Sequence, residues 1–160
     1  MFWIVALLVA LPFGIVLSRG SPYLRTLKAN RQTVFELAGL KEGDLFVDLG
    51  SGDGAMLIEA AKRGYRAVGY EINPFLWIVS RIRTLKYRNL VQIRMRDFWG
   101  QELPQDTKLL FVFLQDQFMP RLVQKLKKEA PKGMRVASFN FKIPDSKVSR
   151  SSNNIYLYKF

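Results

Sequence analysis

LFVDLGSGDGAMLIEAAKRGYRAVGYE, residues 45–71, is the stretch that decides the fold of this chain. It opens on a short apolar strand, Leu45–Leu49, and turns through Asp48-Leu49-Gly50-Ser51-Gly52-Asp53-Gly54. A helix over Gly54–Arg63 follows, closed by Gly64, with basic residues in its last turn where the helix dipole favours them. A second strand, Ala67–Tyr70, then runs into Glu71. Glycines suit the turn because the chain must reverse sharply and bring bare backbone against a ligand. Glu71 stands 21 residues beyond Gly50, where a carboxylate can accept both ribose hydroxyls of an adenosine.

The same alternation continues on either side. Thr26–Ala38 reads as a helix stopped by Gly39. Pro74–Lys86 is a helix with proline in its first turn, and Leu90–Met95 a third strand. Leu109–Leu114 is apolar throughout, as a strand covered on both faces should be. A helix over Phe118–Glu129 and a strand over Met134–Phe139 follow. Lys147–Ser149 and Ile155–Phe160, joined through Arg-Ser-Ser-Asn-Asn, predict a closing hairpin on the sheet edge. Repeated strand–helix units require a parallel sheet with helices on both faces, so the fold class is α/β, Rossmann-like.

Composition narrows the chemistry. At 160 residues and 49% hydrophobic, the chain can bury one core and carry a short appendage. It has no cysteine, which excludes disulfides and thiolate metal sites. It has no histidine, which removes the commonest general base and zinc ligand, and no metal site is expected. Its net charge of +12 implies an anionic partner: a lipid surface, nucleic acid or an acidic protein.

Met1–Leu17 carries no charged side chain, and Arg19, Arg25, Lys28 and Arg31 follow it. At 1.5 Å per residue such a run just spans a thin hydrocarbon core. Residues 1–18 therefore predict a single transmembrane anchor, with the domain of residues 19–160 behind it. By the positive-inside rule the catalytic domain stays in the cytoplasm, and the lack of an Arg/Ser-rich transit sequence makes the cytoplasmic (inner) membrane, crossed once, the expected location. A cleaved signal peptide and a buried core helix are the competing readings.

Two cofactor classes fit a glycine loop of this kind. Gly50-x-Gly52-x-x-Ala55 also satisfies the relaxed dinucleotide fingerprint. Against a nicotinamide cofactor, Asp48 would set negative charge beside the pyrophosphate loop, and no His or Cys handles the proton that accompanies a hydride. In S-adenosylmethionine (SAM) sites that acid faces the methionine ammonium. Asp97, after the third strand, could accept from the adenine amino group or be an ordinary helix cap.

The run Asp48–Gly54, followed by Gly64-Tyr65-Arg66-Ala67-Val68-Gly69-Tyr70-Glu71-Ile72-Asn73-Pro74, resembles the ATP-synthase c-subunit lysine N-methyltransferase family and its short archaeal protein-lysine relatives. Ser80-Arg81, Asp97-Phe98-Trp99, Phe113-Leu114 and Ile155-Tyr156-Leu157-Tyr158 fall in the expected order. Two positions depart from the pattern. Tyr23-Leu24-Arg25-Thr26 lacks the family's proline, and Ala55 replaces the usual arginine. The resemblance implies a seven-stranded methyltransferase sheet with a C-terminal antiparallel hairpin, SAM as cofactor, and methyl transfer to lysine on a protein, membrane-associated by expectation. It assigns the cofactor to Thr26, Asp48, Gly50, Ser51, Gly52 and Gly54, with Glu71, Asn73, Asp97 and Phe98. Candidates for the acceptor channel are Tyr23, Trp99, Gln115, Asn140 and Phe141, from their places near strand ends.

Other acceptors compete with lysine. Leu114-Gln115-Asp116-Gln117 stands where enzymes methylating exocyclic base nitrogens usually carry Asn/Asp-Pro-Pro-aromatic. Two basic clusters pull towards RNA: Arg81, Arg83, Lys86, Arg88, Arg94 and Arg96, then Arg121, Lys125, Lys127, Lys128 and Lys132. The reading preferred for them is contact with an anionic lipid surface. RNA or small-molecule methylation, and a SAM-binding module that transfers nothing, are the alternatives.

Overall fold

The computed structural model describes residues 26–160. Helix α1 spans Lys28–Ala38 and is closed by Gly39, whose left-handed backbone (φ 60°) lets its N–H donate to the Phe35 carbonyl at 3.1 Å. Then come β1 Leu45–Leu49, α2 Ala55–Lys62, β2 Arg66–Tyr70, α3 Pro74–Thr84, β3 Val91–Arg94, β4 Thr107–Val112, α4 Met119–Glu129 and β5 Arg135–Phe139. Strands β6, Arg150–Ser152, and β7, Ile155–Lys159, end the chain.

The seven strands form one sheet in the order β3-β2-β1-β4-β5-β7-β6. Strands β1 to β5 run parallel, and β7 lies antiparallel between β5 and β6. Because β1 sits between β2 and β4, the chain order reverses direction there, and a crevice opens at the C-terminal ends of the strands. Strand alternation supplies both cores. Phe46, Leu109, Phe111, Ala137 and Leu157 point to one face, under Val34 and Phe35 of α1 and Met56, Leu57 and Ala60 of α2. Val47, Leu49, Leu110, Val112 and Val136 point to the other, under Met119, Leu122 and Leu126 of α4.

Element boundaries differ from the sequence reading by a residue or two, except in the hairpin. The expected strand Lys147–Ser149 lies instead at Arg150–Ser152, and Asn153-Asn154 alone makes the turn. Both asparagines adopt positive φ (48° and 59°), the twist that matches a two-residue hairpin loop. Asparagine tolerates that backbone better than other residues with a Cβ, and glycine better still. Asn154→Gly should therefore raise stability by about 0.5 kcal/mol, and Asn154→Val lower it by at least about 1 kcal/mol, in urea melts.

The single-pass placement in the cytoplasmic membrane is corrected. Among the described residues no helix is long and apolar enough to cross a membrane. The longest, α1, α3 and α4, have 11 residues each and rise about 16 Å, half of a hydrocarbon core. The anchor read on residues 1–18 lies outside the described residues.

Candidate functional site

At the C-terminal end of β1 the backbone turns through Gly50, Gly52 and Gly54, all at positive φ (89°, 53° and 77°). The turn is tied down by its neighbours. The N–H groups of Gly50 and Ser51 both donate to the Tyr70 carbonyl, at 3.0 and 2.9 Å, and Gly54 N–H donates to Ser51 O at 2.9 Å. Close approach to β2 depends on Gly69. A Cβ there would come within 2.6 Å of both Ser51 Oγ and Leu57 Cδ1, closer than real contacts allow. Above Gly50, by contrast, a Cβ would meet nothing within 4 Å. The loop thus packs tightly below and is open above.

Glu71 links this loop to the next helix. Its Oε2 accepts from Gly52 N–H at 2.7 Å and its Oε1 from Asn73 N–H at 2.8 Å. Asn73 in turn caps α3, its Oδ1 accepting from Phe75 and Leu76 N–H at 2.9 and 3.3 Å. Asp48 lies in register with Gly69 and is 3% exposed. Burial first, then the charges of Glu71 and Asp53, pushes its carboxyl up to about 8. Burial likewise raises Glu71, against the pull of its backbone N–H donors. Ser51 Oγ is buried without a hydrogen-bond partner.

Folded Asp48 keeps its proton up to about pH 8, whereas in the unfolded chain it is lost near 3.8. The folded state binds the extra proton in that window, so stability falls as pH rises from about 4 to about 8. Asp48→Asn should flatten this slope and leave the protein more stable than wild type at pH 8, by at least about 1 kcal/mol in denaturant titrations. Part of the slope persists in the variant, because Glu71 is raised as well.

Asp97 Oδ1 accepts from Trp99 N–H at 3.0 Å and caps the short turn Phe98–Gly100. Phe98 is buried against Trp99, ring centroids 4.6 Å apart, and Arg121 of α4 stacks on Trp99 at 4.3 Å. Gln115 is exposed after β4. Asn140 is exposed after β5 at φ 66° and donates its N–H to Asn154 O at 2.8 Å. Phe141 is half-buried and accepts from Ser138 Oγ at 2.6 Å. Thr26 is buried, its carbonyl bound by Arg31. Because β1 to β5 are parallel, Asp48, Gly50–Gly54, Glu71, Asp97, Gln115 and Asn140 gather along one edge of the sheet. Tyr23 lies outside the described residues.

The pairing of Asp53, read only as part of the glycine loop, with Arg83, read only as part of a basic cluster, is not visible in the sequence. Asp53 Oδ1 accepts from Ala55 N–H at 3.1 Å, while Arg83 of α3 pairs with its other oxygen and donates to its carbonyl at 2.9 Å. Nothing local announces a pair 30 residues apart. Gly69 stood out only as part of a motif, and its role needs the register of β1 against β2.

A reversed seven-strand order, a glycine loop at the switch point and an acid ending β2 define the Rossmann-like methyltransferase class. Residues 48–150 match the model of the ANTKMT methyltransferase domain, and the chain belongs to that family. It is 34% identical over 125 residues to the ATP-synthase c-subunit lysine N-methyltransferase of Mus musculus, covering 77% of this chain and 50% of that one. The chain thus spans about half the length of that relative. It is 31% identical over 126 residues to a protein-lysine N-methyltransferase of Saccharolobus islandicus, covering 76% of this chain and 78% of that one. Among solved structures, an RNA methyltransferase of Salinibacter ruber in complex with S-adenosyl-L-homocysteine superposes with TM-score 0.80 at 26% identity, over 85% of this chain and 93% of that one.

Proposed function

We propose that this chain transfers a methyl group from SAM to the ε-amine of a lysine on a protein. The observation that carries the reading is the Glu71 carboxylate, buried at the end of β2 and gripping the glycine loop, beside a buried Asp48. Family membership and the two lysine N-methyltransferase relatives support the acceptor class. A membrane-associated protein is the substrate put first, since a chain of net charge +12 gathers at anionic surfaces.

The glycine loop and Glu71 support a SAM site here. The space above Gly50 is open, and bare backbone faces it. Each Glu71 oxygen has accepted one N–H and keeps a lone pair for a ribose hydroxyl. Asp48 would meet the methionine ammonium, and Asp97 the adenine amino group. SAM supplies the activated methyl on its sulfonium, so the protein's part is to align the acceptor amine with it. The amine must be neutral, against an ordinary lysine pKa near 10.4. Desolvation and the neighbouring sulfonium lower it, so the lack of histidine is no obstacle. Trp99, Gln115, Asn140 and Phe141, on the loops after β3, β4 and β5, are the proposed walls of the acceptor channel, together with Tyr23.

RNA is the second reading, favoured by the Salinibacter ruber neighbour and the basic clusters. Against it, Leu114-Gln115-Asp116-Gln117 follows β4. The test is incubation of the protein and methyl-labelled SAM with host protein and RNA fractions. Label in protein supports lysine transfer, label in RNA alone replaces it, and tight SAM binding with no label anywhere points to a module without turnover.

A further inference from the structure

Helix α3 has its polarity turned inside out. Its fully buried positions are the small polar residues Ser80 and Thr84, packed against Gly54. Its large apolar side chains face outwards: Phe75, Ile78, Val79 and Ile82 are 61%, 49%, 42% and 62% exposed, and Leu85 just beyond is 60% exposed. Spacings of three and four residues place them in one stripe along the helix. Met95, at the end of the adjoining β3, adds another apolar side chain at 50% exposure. Burial normally takes such residues first, and a contiguous exposed apolar patch marks an interaction surface.

We propose that this face of α3 docks the protein on an anionic lipid bilayer, the stripe lying in the interface plane. The proposal goes beyond the methyl-transfer reading and does not depend on it. Charge selects the occupant. Arg81 and Arg88 border one side of the stripe, Lys86 caps its far end and Arg96 follows Met95; all four are exposed. None of the four is in an ion pair among the described residues, whereas Arg83, on the opposite border, is held by Asp53. Residues 72–96 contain no acid at all. An apolar stripe with a basic border is what an anionic interface binds, and a fluid bilayer needs no groove to receive a convex helix. A second copy meeting the same face would set arginines against arginines. The stripe begins at Phe75, four residues past Glu71, so docking would bring the crevice to the bilayer surface.

The chain has no cysteine, so Ile82→Cys in the full-length protein gives one attachment point for a polarity-sensitive fluorophore. The expected result is a blue shift that saturates with mixed phosphatidylglycerol–phosphatidylcholine vesicles and is absent with phosphatidylcholine alone. The same label at Lys108→Cys, on an exposed position of β4, should not shift. Arg81→Glu with Arg88→Glu should weaken partitioning by about tenfold or more. Ile78→Ser with Val79→Ser should weaken it too, without lowering the melting temperature, since both side chains are already exposed. No shift at position 82 while the protein floats with the vesicles would overturn the proposal, because another part of the chain would then bind. A lipid-independent shift that grows with protein concentration would overturn it in favour of a second copy.

Discussion

Glu71→Ala should weaken SAM binding by about 1.5–3 kcal/mol, a loss of roughly ten- to a hundredfold in calorimetry. Two effects combine. The variant loses the charge-assisted contact to the ribose, and it strips the acceptor from the Gly52 and Asn73 N–H groups that shape the loop and the start of α3. Stability should suffer less, because a carboxyl that burial already penalises is being removed. Removing the Glu71 charge also relieves Asp48, whose proton should then leave at lower pH. Glu71→Gln, which keeps an acceptor oxygen but no charge, should fall between wild type and alanine. Unaltered affinity in the alanine variant would take Glu71 out of the cofactor site.

Gly69→Ala should be the most damaging single methyl addition in the sheet. The new Cβ would sit 2.6 Å from Leu57 Cδ1 and Ser51 Oγ and 2.7 Å from Ser51 Cβ. Leu57 is fully buried, so neither neighbour has room to retreat without moving α2 or the glycine loop. Overpacking of this kind costs about 1–3 kcal/mol, read as a lowered urea midpoint. Here it should also reduce SAM affinity, since Ser51 belongs to the loop. Gly50→Ala offers the contrast: space is free there, and the cost comes from φ 89° alone. A Gly69→Ala protein as stable as wild type would mean that β2 and the loop do not pack as described.

Most of this is legible in the residues themselves, and the exceptions have physical reasons. Strand β1, the glycine loop and Glu71 announce themselves locally, because turn chemistry and apolar periodicity act over a few residues. The Asp53–Arg83 pair and the packing role of Gly69 arise only when register and helix docking bring distant residues together. Strand β6 misleads because all three of its residues are exposed and polar, so no burial pattern marks it, and only the Asn-Asn turn fixes its position. The apolar pattern of α3 reads as an ordinary amphipathic helix; that the apolar face points outwards is invisible without knowing which side meets β3. Residues 1–17 invite a transmembrane reading on length and apolarity alone, and they lie outside the described residues.

Amino-acid analysis of the labelled product decides whether the methyl group goes to lysine. Protein labelled from methyl-labelled SAM is hydrolysed in acid and its amino acids are separated, with the Glu71→Ala enzyme run in parallel. Radioactivity should co-elute with methylated lysine and drop at least about tenfold at subsaturating SAM in the variant. Label that elutes with any other amino acid, or that is found only in nucleotides, would contradict it.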